Sequence, residues 1–190
     1  MGSQGRVLAF EPNPATFRIL AEHSLWNSRL GHIFPIPLAL GTETSAQLFE
    51  YGDYWLDNGG DHKEASVWTH GSNYSVPVNS VRLNEFLEDF LQGDYEKLAF
   101  VKLDCEGSDM EILYQFIKSW RYSIPIFQIE ILDIYRVDAN LIGEIEQTFD
   151  LFKIESSTLC LQPFDLDKHL ISELTDLICI PKGCSKLSSV

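Results

Sequence analysis

The segment from Leu98 to Gly107 constrains the fold more than any other stretch of the chain. Leu98-Ala99-Phe100-Val101-Lys102-Leu103 is an apolar run of strand length, and it ends abruptly in Asp104-Cys105-Glu106-Gly107. Met110, Leu113, Phe116, Ile117 and Trp120 then recur at helical spacing. A buried strand that stops at acids and glycine and passes into a one-faced helix is a building unit of an α/β fold. The same order occurs near the start. Arg6-Val7-Leu8-Ala9-Phe10 stops at Glu11-Pro12-Asn13-Pro14, and Phe17, Leu20, Ala21, Ser24 and Leu25 follow at helical spacing. Pro14 suits a first helical turn, where its missing N–H costs nothing.

The rest of the chain continues the alternation. His32–Leu40 reads as a second strand interrupted by Pro35 and Pro37. Both missing N–H groups fall on one side, so the strand is expected at a sheet edge with that side outward. Residues 45–50 and 65–69 are predicted as short strands, with Asp57-Asn58-Gly59-Gly60 between them as turn chemistry. The stretch Tyr51–Ser75 is Gly-rich, aromatic and irregular. Leu83, Phe86, Leu87, Phe90 and Leu91 fit a one-faced helix, with Asn84 as its expected cap. Ile124–Leu132 is a predicted strand carrying Glu130 near its end. A helix is expected over 139–149, a strand pair or bent strand over 151–155 and 158–162, a short helix over Asp165–Ile171, and a last strand over Asp176–Ile180. The pattern predicts an α/β domain with a mainly parallel sheet. No repeat, low-complexity tract or linker divides it, and 190 residues suit one domain.

Charge narrows the partners. Lys and Arg number 14 against 28 Asp and Glu, a formal charge of −14. Nucleic-acid backbones and anionic lipid surfaces both select basic proteins, so neither is an expected partner. No apolar segment approaches the ~20 residues needed to span a bilayer, and no basic-then-apolar leader opens the chain. Cys105, Cys160, Cys179 and Cys184 show no CxxC spacing, which indicates neither a zinc site nor a disulfide framework. Cys105 and Cys179 lie in apolar runs, where a buried thiol is expected. A reducing, cytoplasmic setting follows from this reading.

Ligands in open α/β sheets bind beyond the carboxyl ends of the strands. That rule selects Glu11, Asp104 with Glu106 two residues on, and Glu130. Glu11 is placed to accept hydrogen bonds from ribose hydroxyls, or equally to complement the dipole of the helix that follows. Asp104 and Glu106 are placed to meet a cofactor, to position a substrate hydroxyl or to act as a base, and the plainer alternative is helix capping. Glu130 reads equally as a satisfied polar group within a strand. The histidines have no metal-ligand spacing, and no metal is expected. His62 or His70 would serve as a base if the irregular loop folded over a site. Tyr51, Tyr54, Trp55, Trp68 and Tyr74 would line an acceptor pocket, or pack within a hairpin.

Taken in order, these segments resemble the FkbM family of S-adenosylmethionine-dependent methyltransferases. The resemblance rests on Val7–Pro14, on Pro37-Leu38-Ala39-Leu40-Gly41, on Val81–Leu87, on Leu177–Lys182 and above all on Phe100–Asp109. It runs from Arg6 to Lys182. It implies a Rossmann-like methyltransferase sheet, mainly parallel with an antiparallel last strand. It also implies that Glu11, with Asn13 beside it, holds the cofactor ribose, and that the turn around Ala39 lies near the adenine. Asp104 would face the methionine end or the acceptor, as first candidate base, with Glu106 second. The implied reaction is O-methylation of a hydroxyl on a sugar or natural product. Family members begin with a strand and a Gly-rich turn ahead of the strand that ends in Glu11, whereas only Met1-Gly2-Ser3-Gln4-Gly5 precede Arg6. The expectation is therefore one domain over 1–190, truncated at its front and lacking its first, central strand, with 1–5 appended or disordered. The alternative is an inactive Rossmann-like fragment or partner-binding module. The expected partners are a small-molecule or glycan acceptor and a second copy docked through an exposed strand edge.

Overall fold

The structure is a computed structural model that describes residues 5–51, 60–61, 74–105, 107–131, 139–154, 160–164 and 175–184. The chain divides into two compact units, Met1–Arg82 and Leu83–Val190.

The first unit opens with β1 (Arg6–Phe10), α1 (Pro14–Trp26) and β2 (His32–Ile36). β1 and β2 pair in parallel, from Arg6 opposite His32 to Phe10 opposite Ile36. The His32 N–H donates to the Gly5 carbonyl at 3.2 Å, and the Ile36 carbonyl accepts from the Glu11 N–H at 3.0 Å. Even-numbered positions of β2 therefore face β1, and Pro35 faces the other side, as the proline spacing predicts. Asn13 caps α1, its Oδ1 accepting from the Ala15 N–H at 2.9 Å. The apolar face expected for α1 is only partly used: Leu25 is 73% exposed and Ser24 is buried. The single strand expected over His32–Leu40 is two pieces. β2 stops at Ile36, where its partner β1 also ends, and β3 (Ala39–Leu40) joins a different sheet.

That second sheet contains β3, β4 (Ser45–Tyr51), β5 (Gly60–Asp61) and β6 (Tyr74–Val81) in the order β3-β6-β4-β5. β6 is parallel to β3 and antiparallel to β4. Ala39, Phe49 and Val78 form its buried cluster, with Val76 packed against them. Gly41 lies hard against this sheet: a Cβ there would sit 2.5 Å from Ser80 Oγ, which donates to the Glu43 carbonyl at 2.7 Å.

The second unit contains α2 (Leu83–Leu91), a 3₁₀ turn (Tyr95–Lys97), β7 (Phe100–Lys102), α3 (Asp109–Ser119), β8 (Ile126–Ile131) and α4 (Ala139–Thr148). It closes with β9 (Phe149–Ile154), β10 (Leu161–Pro163) and β11 (Thr175–Pro181). Its sheet order is β10-β9-β11-β8-β7. β7 and β8 are parallel, and β11 is antiparallel to both of its neighbours, β8 and β9. β7, β8 and β9 thus run one way, with α3 and α4 in the crossovers that parallel strands require. Phe116, Phe127, Phe149, Leu103, Leu113, Ile129, Ile145 and Leu177 are almost wholly buried. Each contributes about 1.5–3 kcal/mol of burial.

The α/β expectation is met, and among the described residues the sheets are mixed rather than mainly parallel. There the parallel pairs are β1–β2, β3–β6 and β7–β8, and the other pairs are antiparallel, including both pairs of the last strand, β11, as expected. Sequence periodicity identifies a strand but carries no information on the direction of its neighbour. Asn84 is not the cap of α2, because the helix begins one residue earlier at Leu83. The predicted strand at 65–69 and helix at 165–171 lie outside the described residues. No helix among the described residues is long and apolar enough to cross a membrane.

Candidate functional site

Two strand ends carry the candidate residues, one in each unit. In the first, Glu11 follows β1 directly. Its Oε1 accepts from the Asn13 N–H at 2.7 Å. Burial raises the proton affinity of the Glu11 carboxyl, against the opposing pull of the Asn13 N–H. One oxygen thus serves the helix start, and Oε2 has no hydrogen-bond partner among the described residues. Asn13 is 2% exposed and uses its side-chain oxygen on the helix cap. Beside Glu11, the chain leaves β2 through a tight turn in which the Leu38 N–H donates to the Ile36 carbonyl at 2.9 Å. Ala39, past that turn, points its methyl into the buried cluster.

In the second unit, β7 ends at Leu103, fully buried, whose N–H donates to the Gln128 carbonyl at 2.8 Å. Asp104 comes next, with its carboxylate 2.7 Å from Lys102 Nζ and about half of each side chain exposed. Asp104 raises the proton affinity of Lys102 by hydrogen bonding to it. Capping, the plainer reading of Asp104, does not occur: Ser108 holds the N-cap position of α3, with no side-chain cap bond. The turn into α3 passes through Gly107 at φ 106°, a left-handed conformation that favours glycine. Glu106 lies outside the described residues. So do His62, His70, Tyr54, Trp55 and Trp68, and the side chains of Tyr51 and Tyr74.

Asp109 is the residue the sequence reading missed. It starts α3, is 1% exposed, and its carboxylate accepts from the Cys105 N–H at 2.9 Å and from the Glu130 N–H at 3.4 Å. The turn residue Cys105, next to Asp104, and Glu130 of the neighbouring parallel strand are thus joined through one buried carboxylate. Burial is the main cause that pushes Asp109 up from 3.8 to about 6, with the two N–H donors pulling the other way and Asp104 adding to the rise.

A carboxyl with a raised native pKa adds to stability in its protonated form, beyond what its oxygens contribute when ionised. That contribution is complete below the unfolded value near 3.8 and is lost as pH rises through about 6. The loss amounts to about 3 kcal/mol. Subtracting the urea-unfolding free energy of Asp109→Asn from that of the wild type, across this pH range, is expected to give a curve that falls with pH and flattens above it. A flat difference curve would contradict the assignment.

Of the four cysteines, none in a disulfide, Cys179 is fully buried and burial pushes its thiol up to about 12. Cys105 is only half-buried, against expectation, because it sits in the turn after β7 rather than in the strand.

These strand-end acids can be set beside known proteins. A stretch of 111 residues is 32% identical to the hexuronic acid methyltransferase AglP of Haloferax volcanii, covering 58% of this chain and 41% of that protein. No solved structure matches the chain. The family model for the methyltransferase FkbM domain matches residues 1–174, which takes in both Glu11 and Asp104, and the chain belongs to that family.

Proposed function

We propose that the chain binds S-adenosylmethionine and directs its methyl group to a hydroxyl of a sugar or related natural product. The observation that carries this is Glu11, a half-buried carboxylate at a strand end with one oxygen held and the other open. Such a group suits a ribose diol. Membership of a methyltransferase family supports the reaction, and the similarity to a hexuronic acid methyltransferase supports a uronic acid or other sugar as acceptor. β7, β8 and β9 running one way, with α3 and α4 in their crossovers, support a Rossmann-like fold. Four cysteines outside any disulfide support a cytoplasmic enzyme.

The cofactor, when bound, supplies an electrophilic methyl group. The chain's own task is to align the acceptor oxygen and take its proton. Asp104 is our candidate for that base, at the strand end and half exposed, with its orientation held by Lys102. Glu106 is kept as the second candidate.

Titration calorimetry with S-adenosylmethionine tests the reading. Glu11→Ala is expected to weaken binding by about 10- to 100-fold, the worth of hydrogen bonds to a charged group. Silence from the wild-type chain, or equal affinity in the variant, would overturn it.

One observation favours a second reading. β1 is bonded only to β2 and β7 only to β8, so each leaves an open edge among the described residues. Open edges accept further strands, and a partner-binding module or homodimer built through one of them would sediment as a dimer and bind no cofactor.

A further inference from the structure

We infer that Asp109 is a positioning residue for Asp104: its buried carboxylate holds the turn after β7 against β8, and so sets where the Asp104 side chain stands. The inference rests on the assignment of Asp104 to the site proposed above.

The geometry is that of a replaced ladder rung. β7 and β8 pair from Phe100 opposite Ile126 to Lys102 opposite Gln128, and the Leu103 N–H adds one bond to the Gln128 carbonyl. The next donor that a parallel ladder would use is the Glu130 N–H. That N–H donates to Asp109 Oδ1, and Oδ2 takes the Cys105 N–H from the residue next to Asp104. The carboxylate thus bridges two backbone donors, one on the strand and one on the departing turn. It lets the chain leave the sheet at Asp104 without losing its anchor. Among the described residues, the turn also has a bond from the Ser108 N–H to the Cys105 carbonyl at 3.3 Å.

The chemistry of the bridge requires a carboxylate. Both partners are N–H donors, and a carboxylate offers two acceptor oxygens. Asparagine has the same shape but offers one oxygen, and its amide would meet the other N–H as a second donor. A residue serving only as a helix start would not need burial as an acid, which is costly. Among the described residues, the charged groups around the turn are Lys102 and Asp104 from β7 and its end, Glu130 from β8, Asp176 from β11 opposite Glu130, and Glu111 on α3. Of these, Asp104 favours the protonated form of Asp109, in the same sense as burial.

The test is NMR on the intact chain. In the wild type, the Cys105 and Glu130 amide signals and the Asp104 carboxyl carbon are expected to share an inflection near pH 6, the midpoint of Asp109. Asp109→Asn should abolish that inflection in all three and shift the Asp104 carboxyl signal at every pH. Its affinity for S-adenosylmethionine should fall about tenfold, on the scale of one lost charged hydrogen bond. The wild-type titration needs no variant, so a failure of Asp109→Asn to fold does not remove the test. An Asp104 signal that ignores the midpoint in the wild type, or is unmoved in Asp109→Asn, would overturn the inference. Absence of cofactor binding by the wild type would instead count against the proposed function alone.

Discussion

Asp104→Asn is expected to lower kcat by about 10²–10⁴-fold while the protein stays folded. Asparagine keeps the shape of the side chain and removes its capacity to take a proton. The fold has little to lose, because Asp104 is about half exposed and its ion pair with Lys102 is equally exposed. Pairs of that kind contribute at most about 1 kcal/mol. Release of S-adenosylhomocysteine with a hexuronic-acid glycoside as acceptor gives the rate, and thermal unfolding gives the control. Lys102→Met separates two explanations. If Asp104 matters as a base, removing its partner leaves much of the rate. If it matters only as the partner of Lys102, the two variants lose the same factor. Unchanged turnover in Asp104→Asn would remove it from the mechanism.

How far this site was legible depends on what a linear pattern encodes. The strand Phe100–Lys102, its acidic end and the helix after it were legible, because an apolar run followed by 3.6-residue spacing has few other solutions. β8 was legible for a related reason: Phe127, Ile129 and Ile131 are buried and alternate with Gln128 and Glu130. The antiparallel direction of β11 was legible only through the family resemblance, and the antiparallel pairing of β4 with β6 left no mark in the periodicity. β6 was missed as an eight-residue strand because Pro77 interrupts it, although Pro77 pairs opposite Leu48 without breaking the strand. Asp109 was missed as a tie between elements because an acid in a first helical turn is ordinary on dipole grounds alone. Its partners are backbone amides, which leave no mark in a sequence. The role of Asn13 as a cap followed from Asn-Pro at a helix start, which serves a fold and a ligand site equally well.

The largest loss of stability is expected from Phe127→Ala, about 3–5 kcal/mol. Phe127 is fully buried on β8, between β7 and β11 in the second unit's sheet. Val101 on β7 and Cys179 on β11 flank it as register partners. Its ring meets Phe116 of α3 edge-on at 5.1 Å and Phe149 of β9 edge-on at 6.0 Å. Truncation therefore opens a cavity shared by three strands and a helix, which cannot all collapse onto an alanine without moving the β7–β8 register. That register sets the strand ends at Asp104 and Glu130. The urea midpoint should drop with little change in slope. Phe100→Ala, on the same sheet but half exposed, should cost under about 1 kcal/mol. A loss for Phe127→Ala no larger than that of Phe100→Ala would mean that the second unit is not held by this core. The same Phe127→Ala sample, held well below its midpoint, should show displaced Cys105 and Glu130 amide signals. Asp109 bridges those amides only if β7 and β8 keep their pairing.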